Sequence, residues 1–190
     1  MKKNIEIRLA GFGGQGIILA GYIIGKAAAI FDNKFSTLIQ SFGPEARGSS
    51  CSAQLLISES QILYPYLIQP DISIILSRDA FERFGGELKP GGTMLVEKEL
   101  VQPEKIPKGI KLYAIPATRL AEEMGRKIVM NIITVGFFTA TTGIISHEAA
   151  REAVATSVPP GTEEINLKAF ETGYEYGMQL VGSKNKEVVK

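Results

Sequence analysis

The residues best suited to chemistry lie in two short loops. Gly11-Phe12-Gly13-Gly14-Gln15-Gly16 fits the spacing G-x-G-x-x-G, and Ser41-Phe42-Gly43-Pro44-Glu45-Ala46-Arg47-Gly48 lies downstream of it. In the first loop, Gly11 is placed for a tight turn, Gly13 for close backbone approach, and Gly16 for close helix–strand packing. Gly14 adds further open space. This loop opens a helix, where free N–H groups and the dipole attract anions. In the second loop, Gly43-Pro44 signals a turn. Arg47 carries a planar fork suited to a carboxylate or phosphate. Glu45 is displayed on the other side of Ala46, and Gly48 allows close approach. The candidate binding residues are therefore Gly11, Gly13, Gly14, Gln15, Gly16, Glu45, Arg47 and Gly48. Gln15 stands out as a polar residue at an exposed turn, with no packing reason visible in the sequence.

The glycine spacing alone would suggest a dinucleotide site. Such a site also wants an acidic residue at the end of the second strand, to hold the ribose hydroxyls. Thr37-Leu38-Ile39-Gln40-Ser41 contains none, and no arginine for a 2′-phosphate. Asp32 falls at the wrong end of that strand. A dinucleotide dehydrogenase is accordingly disfavoured.

No catalytic or metal-ligating set accompanies the loops. The one cysteine, Cys51, cannot close an internal disulfide or ligate an iron–sulfur cluster by itself. It borders an apolar strand and reads as a buried, inert thiol. The one histidine, His147, comes after Ser146 in the first turn of a helix, with no carboxylate or nucleophile visibly paired with it; a surface position is expected. The basic residues number 21 and the acidic 20, so no broad positive field marks a nucleic-acid partner. The apolar run from Ile132 to Ile145 carries threonines and glycines and is shorter than the roughly 20 residues of a membrane span. Glu6 and Arg8 interrupt any signal-peptide pattern. A reducing cytoplasm is the expected compartment.

The elements that must hold the loops can be read from periodicity. Ile5 to Ala10 is a strand and Gly16 to Phe31 a helix, with Leu19, Ile23, Ala27 and Ile30 along one face. The next strands are Phe35–Gln40 and Ser52–Ser58. Their connection is too short for a parallel crossover, so they should be antiparallel. Asp71–Leu76 reads as a central strand. Ser77 caps a helix through Phe84, and two more strands come at Thr93–Glu97 and Ile110–Ile115. Four helices complete the chain: Thr118–Met124, Asn131–Gly143, one capped by Ser146 and ending near Ser157, and Asn166–Val181. The pattern predicts an α/β fold: a Rossmann-like three-layer sandwich with a mostly parallel, mixed sheet. Residues 1–182 should form one domain and 183–190 a flexible tail. Ligands bind beyond the carboxyl ends of strands in such sheets. If the first two strands are neighbours and parallel, both loops share one rim. Tyr64, Pro65 and Tyr66, and Tyr174 and Tyr176 on the last helix, are candidates for partner contacts.

Together the two loops resemble the gamma subunit of 2-oxoacid:ferredoxin oxidoreductases. The resemblance rests on Gly11-Phe12-Gly13-Gly14-Gln15-Gly16 and on Phe42-Gly43-Pro44-Glu45-Ala46-Arg47-Gly48. Pro70-Asp71 and Asn131 also look like family features, and the likeness extends from Ile5 to about Gly177. Phe12 and the Ser-Ser-Cys after Gly48 resemble 2-oxoglutarate-type subunits more than pyruvate-type ones. The resemblance implies a subunit inactive alone, packed against alpha, beta and delta chains. The complex would carry thiamine diphosphate, coenzyme A and iron–sulfur clusters and pass electrons to ferredoxin. Two alternatives remain open: a stand-alone module binding a nucleotide or coenzyme A phosphate, and the beta subunit of an indolepyruvate oxidoreductase, which shares these loops.

Overall fold

The computed structural model describes residues 4–42, 50–102 and 109–187. Its sheet has six strands: β1 (Ile5–Phe12), β2 (Phe35–Phe42), β3 (Ser50–Ser58), β4 (Ile72–Ile75), β5 (Thr93–Glu97) and β6 (Lys111–Ile115). Their order is β2-β3-β1-β4-β5-β6. β1, β4, β5 and β6 run parallel, and β3 is antiparallel to both β1 and β2. The expected mixed sheet and the antiparallel β2–β3 pair are both present. One expectation is corrected: β1 and β2 share a direction but are not neighbours, because β3 lies between them. A hairpin partner has claimed the inner position that a crossover strand would otherwise take.

The helices are α1 (Ile17–Lys26), α2 (Arg78–Phe84), α3 (Ala117–Glu123), α4 (Met130–Thr142), α5 (His147–Ala155) and α6 (Glu163–Glu187). The sandwich is lopsided. Side chains of α1, α3, α4, α5 and α6 share one core with Ile7, Leu9, Leu55, Ile74 and Leu95 of the sheet. Among the described helices only α2 contributes to the smaller core on the other face, through Ala80 and Phe84 against Ala10, Ile75, Met94 and Val96. There Arg8 is held at 3.0 Å by Glu87 and lies 4.7 Å over the Phe84 ring.

α1 does not continue as an α-helix to Phe31. Ala27–Phe31 form a π-helical turn. The extra residue in this turn rotates the end of the helix, so Ile30, expected on the buried face, is 64% exposed, while Ala27 and Ala28 are fully buried. The caps at Ser77 and Ser146 are as expected: each hydroxyl accepts a backbone N–H, from Ala80 and Ala149. Ser146 is also tied to Asp32, whose carboxylate accepts its N–H at 2.8 Å and its hydroxyl at 2.7 Å.

From Met130 to Thr139 α4 is buried on every side. It packs closely on α6, and a Cβ at Gly136 would strike the Phe170 carbonyl, one at Gly173 the Ile133 carbonyl. α6 therefore supplies the covering layer that the apolar helices need, and it runs on past Val181 to Glu187. Tyr174 and Tyr176, both half-buried, pack against neighbouring helices of this chain. Tyr174 packs 4.4 Å from the His147 ring centroid and Tyr176 lies edge-on to Phe137.

The connection from β3 to β4 crosses the thinly covered face as an irregular strap. Leu67 donates to Gln54 Oε1, and Ile68 and Gln69 both donate to Glu6 Oε2 at 2.8 Å. Tyr64 and Tyr66 project from it into solvent, in line with the sequence expectation.

Candidate functional site

The carboxyl ends of β1, β2, β4 and β5 form one rim of the sheet. At its centre is the turn after β1. Gln15 folds back over this turn: its Oε1 accepts the Phe12 N–H at 2.7 Å and its Nε2 donates to the Leu76 carbonyl at 2.9 Å. The glutamine thereby bridges the ends of β1 and β4, where the strand connections reverse direction and a dinucleotide would otherwise enter. This corrects the view that Gln15 lacks a packing reason. Its partner Leu76 stands 61 positions away in the chain, beyond the reach of local patterning.

The glycines divide into two groups. Gly11 leaves the room that the Gln15 amide and Ile17 occupy, and a Cβ there would approach Ile17 Cδ1 to 2.8 Å. Gly16 sits at φ 70° with the buried Asn131 against it, 2.7 Å from the position of a Cβ to Asn131 Cγ. At both positions the space of the missing side chain is filled by the protein itself. Gly14, at φ 100°, has open space around it. Behind it, α1 begins with no side-chain cap and no acidic residue in its first turn. Of these three glycines only Gly14 has open space around it, and it adjoins the uncapped N-terminus of α1, whose dipole favours negative charge.

The second loop joins β2 to β3. Glu45, Arg47 and Gly48 lie outside the described residues, as do Gly43, Pro44 and Ala46. The strands that bracket the loop are described: Phe42 faces Cys51, and Ser50 faces Phe12. The β2 end therefore opens onto the same rim as the glycine turn, two strand spacings or about 9–10 Å away.

The rim continues past β4. A recess of about 570 Å³ lies between α2 and the segment after β5, lined by Arg78, Phe81, Glu82, Glu99 and Leu100 among others. Its wall is held by Glu97, a fully buried carboxylate that the sequence did not single out. Glu97 Oε2 accepts the N–H groups of Glu99 and Leu100 at 2.8 and 2.7 Å, and Oε1 accepts that of Thr118 at 3.2 Å. An acidic residue ending an apolar strand was the available signal.

His147 does have a carboxylate partner, which sequence proximity could not reveal. Its Nε2 lies 2.9 Å from Glu171 Oε2, and Arg151 holds the other oxygen of Glu171 at 3.5 Å. This cluster joins α5 to α6, away from the rim. Cys51 is buried, and desolvation pushes its thiol above the usual value. Among the described residues no cluster of three or more His, Cys, Asp or Glu has metal-binding geometry. No helix among them is long and apolar enough to cross a membrane.

Residues 6–176 match the pyruvate ferredoxin/flavodoxin oxidoreductase family. The chain belongs to that family. A 2-oxoglutarate synthase subunit KorC from Methanocaldococcus jannaschii is 47% identical over 182 residues, covering 95% of this chain and 97% of the relative. The KorC subunit of Methanothermobacter marburgensis is 45% identical over 180 residues, covering 92% and 97%. Among solved structures, the gamma subunit of a keto/oxoacid ferredoxin oxidoreductase from Geobacter sulfurreducens superposes with a TM-score of 0.80 at 39% identity, over 92% of this chain and 99% of that one. The 2-oxoglutarate:ferredoxin oxidoreductase of Magnetococcus marinus, with 2-oxoglutarate, coenzyme A and succinyl-CoA bound, gives 0.84 at 25% identity; the match covers 93% of this chain and 31% of that longer one. As a member of that family the chain is a subunit of a 2-oxoacid:ferredoxin oxidoreductase, an enzyme complex.

Proposed function

We propose that this chain is the gamma subunit of a 2-oxoglutarate:ferredoxin oxidoreductase and works only inside that assembly. The observation that carries this reading is its near full-length likeness, at 45–47% identity, to subunits named for 2-oxoglutarate synthase. In such an assembly thiamine diphosphate supplies decarboxylation of the 2-oxoacid, coenzyme A takes the acyl group, and iron–sulfur clusters carry two electrons to ferredoxin. The alpha, beta and delta subunits would hold the thiamine diphosphate and clusters, in a cytoplasmic complex.

This chain's part is to shape the approach of coenzyme A. Gly13, Gly14 and the uncapped start of α1 fit a phosphate, since they offer N–H groups and no competing carboxylate. Arg47, with Glu45 and Gly48 around it, would supply the charged contact from the neighbouring loop. Gly11, Gln15 and Gly16 contribute by fixing the turn's shape.

The test is reconstitution. Partner subunits lacking this chain should show little 2-oxoglutarate-dependent, coenzyme A-dependent reduction of ferredoxin, and adding the purified chain should restore it. Arg47→Ala in the restored complex should raise the KM for coenzyme A about tenfold while leaving that for 2-oxoglutarate unchanged. Full turnover by the isolated chain, or equal turnover without it, would overturn the proposal.

A further inference from the structure

We propose that the β2 edge of the sheet is a self-association surface, at which two copies of this chain pair antiparallel about a two-fold axis through Ile39. β2 ends the sheet, with β3 on one side and no strand among the described residues on the other. Among the described residues no strand pairs with its outer backbone groups, which leaves a row of donors and acceptors along eight residues. Proteins ordinarily blunt such an edge with lysine, proline or a bulge. Phe35-Ser36-Thr37-Leu38-Ile39-Gln40-Ser41-Phe42 has no charge and no proline, and it pairs with β3 residue for residue. At the opposite edge, β6 has only five residues and begins with exposed Lys111.

The occupant is specified by a knob and a hole on the same strand. Ser36, Leu38, Gln40 and Phe42 share the face that carries α1. At the Ser36 end, a recess of about 310 Å³ opens between the strand and the helix, lined by Ser36, Leu38, Tyr22, Gly25, Lys26 and Ile30 among others. At the other end the Phe42 ring is 68% exposed. In a two-fold pairing through Ile39, residues whose numbers sum to 78 face each other. Phe42 of each copy then falls opposite Ser36 of the other, and its ring enters the recess. Leu38 faces Gln40, and Thr37 faces Ser41. One operation fills both holes with both knobs, as an isologous interface requires.

Charge does not oppose the pairing. The strand is neutral, and both Lys26 in the recess wall and Lys34 before the strand are already engaged. Lys26 donates to the Thr156 carbonyl at 2.9 Å, and Lys34 to the Ile144 carbonyl at 2.6 Å. The π-helical turn adds to the fit, since it brings Ile30 outward to the lip of the recess.

The experiment uses the full chain. Sedimentation velocity over a concentration series should show a reversible monomer–dimer equilibrium, and Phe42→Ala should raise its dissociation constant about tenfold or more. Ile39→Cys should form a disulfide-linked dimer under mild oxidation, because residues opposite each other in an antiparallel pair have Cβ atoms about 4.5–5.5 Å apart. Phe35→Cys should not, since its symmetry mate would lie eight residues along, about 27 Å away. The buried Cys51 gives little background. A chain that stays monomeric, a dimer indifferent to Phe42→Ala, or cross-linking equal at positions 39 and 35 would each overturn the pairing. None of these outcomes depends on turnover by the oxidoreductase.

Discussion

The side-chain amide of Gln15 donates to the Leu76 carbonyl at 2.9 Å, so a residue of the first turn ties together two strands that are adjacent in the sheet and distant in the chain. The same amide receives the Phe12 N–H. Removing it leaves a donor and an acceptor unpaired where β1 and β4 end. Gln15→Ala should therefore destabilise the fold by about 1–3 kcal/mol. Urea unfolding monitored by far-UV circular dichroism measures this loss, and an unchanged midpoint would deny the glutamine its bracing role.

Close packing of α4 on α6 makes a sharper forecast. A methyl at Gly173 has no space, because the Ile133 carbonyl already occupies it. Gly173→Ala should cost about 3 kcal/mol or more through forced separation of the helices. Gly86→Ala, with nothing near its Cβ position, should lie within about 0.5 kcal/mol of the parent. Thermal melts of the two variants compare them directly.

Glu97 gathers three backbone N–H groups at the end of β5. Glu97→Ala leaves these three donors without their carboxylate acceptor. The expected loss is about 1–3 kcal/mol, with faster amide exchange at Glu99, Leu100 and Thr118. Exchange unchanged at those amides would show that the carboxylate is not what holds the recess wall.

Burial raises the Cys51 thiol above its ordinary value, which favours the neutral form in the folded state. The unfolded chain thus loses its thiol proton at lower pH than the folded one. The stabilisation is complete below the unfolded value and is lost as pH rises from about 9 through the folded value. Wild type should lose stability relative to Cys51→Ala over that alkaline window. Iodoacetamide should also label the native chain far more slowly than the unfolded chain at pH 8. Equal labelling rates would contradict the burial.

Much of this architecture is legible in local sequence. Ser77 and Ser146 announce their helices through hydroxyls that serve the N–H three residues on. The short link between β2 and β3 forces them antiparallel. The glycine turn declares a strand-to-helix junction. What local pattern does not carry is the identity of distant partners. Nothing near Gln15 points to Leu76, nothing near Gly16 to Asn131, and nothing near His147 to Glu171. The π-helical turn at Ala27–Phe31, closed by the Asp32 N–H on the Ala27 carbonyl, escapes because its residues are ordinary helix formers. The place of β3 between β1 and β2 escapes because strand order is decided by pairing across the whole sheet. Of the candidate binding residues, sequence could identify the glycines but not which of them make room for the protein's own side chains.

That intervening position of β3 bears on how the chain can be born. A nascent polypeptide whose exposed portion stops at Phe42 has β1, α1 and β2 in hand, yet the two strands have no common border and a strand-wide gap between them. β1, α1 and β2 by themselves cannot zip it. Closure waits until Ser50–Ser58 has emerged, doubled back as a hairpin and slid in as the middle slat, so this half of the sheet should gain its first protected amides together rather than one strand at a time.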